Sequence, residues 1–267
     1  MNQSPRAARL LTILLLLLSP SLTVTAQQAD NEYQTGAVLW MQTSGERAAL
    51  SYQAFSLARM TLDRDLRTRS RMKRAVIVDI DETIMDNSRF QAWAIKNHQS
   101  FNDQTWQAWV NRSEATAIPG AVEFLTYANS RGVRVFYITN RKAAEREGTA
   151  TNLRKLGFPN VNDETLLVRT DTKSSSKEPR RQSVSARYRV VLLMGDNLND
   201  FSDVFEDAKT INGRMEVTRQ NRPKFGTRFI VLPNPMYGDW ENAIYDYNFK
   251  LTEAEKAERR ISLLKSY

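Results

Sequence analysis

The sequence predicts an α/β fold, a mostly parallel sheet flanked by helices. Three observations carry the prediction. Short apolar runs rich in branched side chains recur at residues 75–78, 133–138, 166–168, 190–194 and 229–232. Helical spacing fills most of the intervals between them, and a long helical pattern stands ahead of the first run. With 267 residues, 41% of them hydrophobic, the chain is long enough for one sizeable core.

The elements follow in order. Residues 1–26 have the layout of a signal peptide: Arg6 and Arg9, an apolar run over 10–18, then Val24, Thr25 and Ala26 as small side chains before Gln27. The apolar run is far short of the roughly 20 residues that span a bilayer, so a cleaved leader and no stable membrane anchor are expected. The remainder, 27–267, reads as one domain. Val38, Met41, Ala48, Tyr52, Phe55 and Met60 stand near helical spacing over 36–67, with no internal proline, as one long helix or two. A basic bridge over 67–74 leads into the strand at 75–78, which ends at Asp79. Residues 86–117 interrupt the alternation with Phe90, Trp93, Phe101, Trp106 and Trp109 and read as a small cap insertion. Ligands of open α/β sheets bind outside the carboxyl ends of the strands, where such an insertion can cover them. Pro119 suits the first turn of a helix through Tyr127, and Gly157 with Pro159 ends a helix that begins near Lys142. Thr252 and Glu255 have capping-box spacing and open a last helix, so helical extensions are expected at both ends.

Composition narrows the chemistry. The chain has no cysteine, which removes disulfides, thiol nucleophiles and the lipidated cysteine of a lipoprotein. Its single histidine, His98, rules out histidine metal clusters and any phosphatase that needs two histidines. Catalysis must therefore run on carboxylates, hydroxyls and lysine. The net charge of +8 includes Arg6 and Arg9 of the leader, and the other basic residues are dispersed among acids, which fits attraction of anionic substrates or a merely solvated surface better than a nucleic-acid surface.

Four segments carry polar groups to strand ends. Asp79, Asp81, Glu82 and Thr83 crowd the end of a strand that should be buried, an arrangement that a cation or a shared proton must offset. Asp196 and Asp200, after Gly195, form a second acidic cluster of hard oxygens suited to magnesium. Thr139 and Asn140 end a strand where the chain turns toward a helix, and both are natural phosphate donors or plain helix caps. Lys177 heads a helix shortly before the second acidic cluster; Lys173 lies four residues away.

Taken in order, these segments resemble the four motifs of the haloacid dehalogenase (HAD) superfamily. The resemblance is closer still to the bacterial class C acid phosphatases, in residues 79–88 (DIDETIMDNS), 118–124 (IPGAVEF), 136–141 (FYITNR), 195–201 (GDNLNDF) and 232–240 (LPNPMYGDW). It implies a Rossmann-like HAD fold and a secreted or periplasmic, Mg2+-dependent acid phosphatase. In that family's pattern Asp79 is the nucleophile and Asp81 the acid and then the base. Asp79, the Asp81 carbonyl, Asp196 and Asp200 surround the metal, and Thr139, Asn140 and Lys177 hold the phosphoryl group. Trp106 and Tyr237 would stack on the base of a nucleoside monophosphate, the implied small phosphomonoester substrate, and a homodimer is a further family trait. The alternatives are a secreted phosphate-ester binding protein without turnover, or a phosphotransferase.

Overall fold

The computed structural model describes residues 31–267. The leader expected at 1–26 lies outside the described residues. Seven strands are formed: β1 (Arg74–Val78), β2 (Met85–Asp86), β3 (Thr116–Ala117), β4 (Arg134–Lys142), β5 (Leu166–Arg169), β6 (Arg189–Gly195) and β7 (Phe229–Val231). The helices are α1 (Thr35–Thr43), α2 (Gly45–Leu66), α3 (Ser88–Lys96), α4 (Asp103–Arg112), α5 (Ala121–Ser130), α6 (Arg146–Lys155), α7 (Glu178–Ser185), α8 (Asp203–Glu206), α9 (Ile211–Gln220), α10 (Asp239–Ile244) and α11 (Glu253–Ser262).

Five strands pair in the order β5-β4-β1-β6-β7, all parallel. The central strand explains why so short a run suffices. Val76 and Val78 point into one apolar layer, with Phe55, Leu62 and Leu125; Ala75 and Ile77 point into the other, with Val184 and Phe205. A strand buried on both faces needs a continuous apolar run, which is what residues 75–78 supply. No helix among the described residues is long and apolar enough to cross a membrane.

The long helical pattern before the sheet resolves into α1 and α2. The break falls at Ser44, whose side chain accepts the Arg47 backbone N–H and caps α2. The basic bridge after α2 is partly neutralised at its foot, because Asp65 takes both Arg74 (2.6 Å) and Arg189 (2.5 Å).

Two expectations need correction. The helix assigned to Pro119 starts at Ala121, since Gly120 precedes it as the cap in a left-handed backbone at φ 87°. A side chain there would be both strained and in contact with the Phe55 ring. The helix N-terminus expected beside Thr139 and Asn140 also lies further on. β4 pairs again with β5 at Lys142 and Arg169 after an irregularity, so the strand carries Thr139 through Lys142; helical conformation starts near Lys142 as expected, with a turn over Ala143–Glu145 that leads into α6.

Over residues 86–117 the chain makes two helices between two short strands, and Phe90, Trp106 and Trp109 join the main apolar core. The antiparallel pair β2–β3 closes the base of this segment, and α3 and α4 stand on it. A buried ion pair, Arg47 to Asp86 at 2.9 Å, ties this base to α2. Removing one partner of a buried pair strands the other charge. Arg47→Met is expected to lower unfolding stability by about 3 kcal/mol or more, measured by urea denaturation.

Candidate active site

The site grows from the carboxyl ends of β1 and β6, which lie side by side in the sheet. The Asp79 backbone N–H donates to the Met194 carbonyl at 2.9 Å, so the parallel pairing itself sets the first acidic residue beside the second cluster. Past Asp79 the chain folds back tightly: the N–H groups of Ile84 and Met85 both return to the Ile80 carbonyl, and Glu82 takes a left-handed backbone at φ 53°. This turn directs the side chains of Asp79 and Asp81 into one cleft of about 700 Å3.

Asp79, Asp196 and Asp200 can each present a carboxylate oxygen within 4.8 Å of the others. Lys177, at the N-terminal cap of α7, reaches into this cluster, where its ammonium bonds to Asp79 and to Asp200 Oδ1, the latter at 2.6 Å. Lys173 is exposed, and so the structure brings Lys177 and not Lys173 to the acids. Thr83 and Asn234 hold Asp196 by hydrogen bonds of 3.1 and 2.8 Å to its two oxygens.

Electrostatics follow from the burial. Desolvation pushes the Asp79 carboxyl well above the usual carboxylate range; Lys177 opposes this, while Asp200, Asp196 and Asp81 add to it. Asp196, for the same reason and with Asp200 beside it, is pushed up to about 7 despite the Asn234 bond. Burial alone would pull Lys177 down, but Asp200 and Asp79 hold it above its ordinary value and keep it charged. One ammonium does not neutralise three close carboxylates, so the cluster is short of positive charge and its donors are hard oxygens. It fits a small divalent cation.

Gly195 is part of this geometry. A Cβ there would stand 2.3 Å from Asp200 Oδ2 and 2.4 Å from Asp200 Cβ, so the acidic loop closes on β6 only because position 195 has no side chain.

The remaining predicted residues divide. Thr139 is fully buried on β4, and its hydroxyl oxygen accepts the Arg141 N–H at 3.1 Å. Asn140 is exposed at the cleft edge, its side-chain oxygen taken by Arg180 at 2.8 Å. Trp106 lines the cleft but is also packed edge-on against Phe90, with ring centres 5.1 Å apart. Tyr237 lines the opposite part, its hydroxyl donating to the buried Glu82 carboxylate. His98 is exposed.

Several groups were not singled out by the sequence. Arg141 and Arg180 reach the site beside Thr139, and Asn234 supports Asp196. Arg141 and Asn234 lie inside the motif stretches quoted above, so the signal was present without a role attached. Residues 31–34 also form cleft wall: Tyr33 donates to Glu241 at 2.5 Å and Gln34 to the Met236 carbonyl at 3.0 Å.

A parallel sheet with paired acidic loops and a buried lysine at its carboxyl edge defines a HAD-type site. Residues 17–240 match the family model described as HAD superfamily, subfamily IIIB (acid phosphatase), and the chain belongs to that family. It is similar to the class C acid phosphatase from Bacillus anthracis, whose structure with tungstate bound aligns at 42% identity and a TM-score of 0.85, covering 89% of this chain and 98% of that one. A further structure of the same enzyme gives a TM-score of 0.84. More remote similarity, over 165 residues and 60% of this chain, reaches acid phosphatase 1 of Solanum lycopersicum (26% identical, 57% of its length) and a stem 31 kDa glycoprotein of Glycine max (25% identical, 58% of its length). The chain thus spans under three-fifths of the length of these curated relatives.

Gly195→Ala is expected to displace Asp200 and weaken binding of a divalent cation by about tenfold or more, the usual size of a disturbed support around a metal ligand. Calorimetric titration of the purified protein with Mg2+ reads this directly.

Proposed function

We propose that the chain is a secreted, Mg2+-dependent phosphomonoesterase that works through an aspartyl-phosphate on Asp79 and takes nucleoside monophosphates. The observation that carries this reading is the buried Lys177 ammonium set between Asp79 and Asp200 on the floor of the cleft, with Asp196 facing them. A nucleophile, a fixed cation and a cation-deficient carboxylate cluster are what phosphoryl transfer requires, since that chemistry is mostly positioning and charge stabilisation.

In this reading an Asp79 oxygen attacks phosphorus as the bond to the leaving alcohol breaks. The bonding pair goes to the alcohol oxygen, which takes a proton from Asp81. Asp81 then removes a proton from water, whose oxygen attacks the phosphorus of the aspartyl-phosphate; the bond from phosphorus to the Asp79 oxygen breaks, its electron pair returns to the Asp79 carboxylate, and inorganic phosphate leaves. Lys177, the Thr139 hydroxyl and the Asn140 side-chain N–H would hold the phosphoryl oxygens. The side chains of Asp79, Asp196 and Asp200, with the Asp81 backbone carbonyl, would hold Mg2+, which when bound supplies positive charge against the carboxylates and the phosphoryl oxygens. The tetrahedral oxyanion tungstate bound in the Bacillus anthracis enzyme is consistent with a phosphate-sized pocket in the family.

The cleft is wide enough for a nucleoside, and Trp106 and Tyr237, which line it, would stack on the base. Secretion rests on residues 1–26, whose charge, apolar run and small side chains match a leader.

The test is phosphate release from nucleoside monophosphates and simple aryl phosphates, with Mg2+ and with a chelator. Release is expected only with the metal and is expected to vanish in Asp79→Asn. Release that survives in Asp79→Asn removes the nucleophile assignment; a protein that binds the esters and releases nothing is a binding protein. In the same assay Tyr237→Ala should raise KM for nucleoside monophosphates about tenfold, the worth of one lost stacking contact, while KM for glycerol phosphate stays within about twofold.

A further inference from the structure

We infer that Arg141 and Asn87 are positioning residues for Asp81: they occupy one of its carboxylate oxygens and leave the other to carry the transferable proton. The inference rests on the hydrolase reading above and adds to it an account of which substrates need these two residues.

Asp81 is not held by the acidic cluster. Its Oδ1 accepts three hydrogen bonds, from Arg141 Nη2 at 2.7 Å, Arg141 Nε at 3.0 Å and Asn87 Nδ2 at 2.9 Å. Its Oδ2 accepts one, the longer branch from Arg141 Nε at 3.2 Å. Proton exchange with an ester oxygen or a water therefore falls to Oδ2. The Asp81 side chain keeps 20% of its surface open and lines the cleft, while the Arg141 side chain keeps 2%.

Both holders are themselves fixed. Arg141 Nη1 donates to Thr149 Oγ1 at 3.0 Å, and the guanidinium carbon lies 5.3 Å from the centre of the Trp106 ring. Asn87 is fully buried; its backbone N–H donates to Glu82 at 2.8 Å and its Oδ1 accepts the Trp109 indole N–H at 2.9 Å. An indole N–H can only donate, so the Asn87 oxygen must face Trp109, and the amide nitrogen must then face Asp81. The orientation of this amide is thus dictated by its partners and does not rest on a choice between two look-alike atoms.

These contacts join β4, the turn after β1, and the α3, α4 and α6 segments, so a plain structural role would also explain them. The two roles differ in substrate dependence. When the leaving oxygen is a poor one, as in alkyl or phenyl phosphate, departure needs the Asp81 proton; dinitrophenolate leaves without it. After donating its proton Asp81 is a carboxylate, and the Arg141 fork stabilises that product of the step. Loss of the fork should therefore be felt in proportion to how much the leaving group needs a proton.

The experiment measures kcat/KM, which reports the steps up to departure of the alcohol, for dinitrophenyl, p-nitrophenyl, phenyl and alkyl phosphates. Arg141→Met is expected to lower it on the order of 10²-fold for phenyl and alkyl phosphates, within the range of general acid catalysis, and by about tenfold or less for dinitrophenyl phosphate. Arg141→Lys, which keeps the charge and loses the two-pronged geometry, should show the same tilt at smaller size, as should Asn87→Ser. These milder variants decide the matter if Arg141→Met does not fold. Equal losses across the series, or no loss, would overturn the inference while leaving the hydrolase intact. Wild-type protein that releases phosphate from no ester overturns the parent reading, and this inference with it.

Discussion

The structure depends on an unfavourable concentration of like charge. Three carboxylates are drawn together at the edge of a parallel sheet, where burial and the neighbouring acids raise the cost of ionising Asp79 and Asp196. Strand pairing makes the juxtaposition unavoidable, because β1 and β6 are neighbours and each runs straight into an acidic turn. The surroundings then read as compensation. Lys177 is brought in from the cap of α7 and is the only buried lysine among the described residues. Thr83 and Asn234 give Asp196 hydrogen bonds on both oxygens, and the absent side chain at Gly195 lets Asp200 approach. What compensation remains undone is an open demand for positive charge, and that demand is the site's chemical capability.

Around this centre the scaffold sorts its tasks by distance from the strand ends. The two apolar layers fix the sheet, and the helices α2, α5 and α7 cover it. The α3–α4 insertion stands over the carboxyl edge, anchored at its base by Arg47 and Asp86, and it carries the aromatic side chains Phe90, Phe101 and Trp106 toward the cleft. The acidic loop is braced from behind as well: Asn197 and Asn199 both donate to Asp239 at the head of α10, at 2.8 and 2.7 Å. The reacting groups thus stand on short turns and loops at the strand ends, and the sheet and its helices hold those loops in place.

Much of this was legible in the sequence because it depends on local pattern. Branched apolar runs marked all five parallel strands, and acidic pairs at strand ends marked Asp79, Asp81, Asp196 and Asp200. Lys177 was placed by order along the chain and by resemblance, and burial against Asp79 and Asp200 is what separates it from the exposed Lys173. What stayed hidden is whatever depends on distant segments meeting. Arg141 is 60 positions from Asp81, and nothing near either residue announces their pairing. The extension of β4 to Lys142 was hidden for a similar reason, since it exists only because β5 offers Arg169 as a partner there. Gly120, in a left-handed backbone, caps the helix and sets its start two residues beyond Pro119, at a place where the Phe55 ring leaves little room for a side chain.

The cleft is closed by residues from the two ends of the described chain. Tyr33 and Glu241, which bond across its wall, are 208 positions apart, and Asp196 meets Thr83 across 113. A ribosome that has released only the first half of this chain has made Asp79 and Asp81 but neither Asp196 nor the far wall of the pocket. Synthesis from one end to the other therefore acts as a timer: the acidic turn waits inert, and the complete site comes into being only after nearly all of the chain is available to fold.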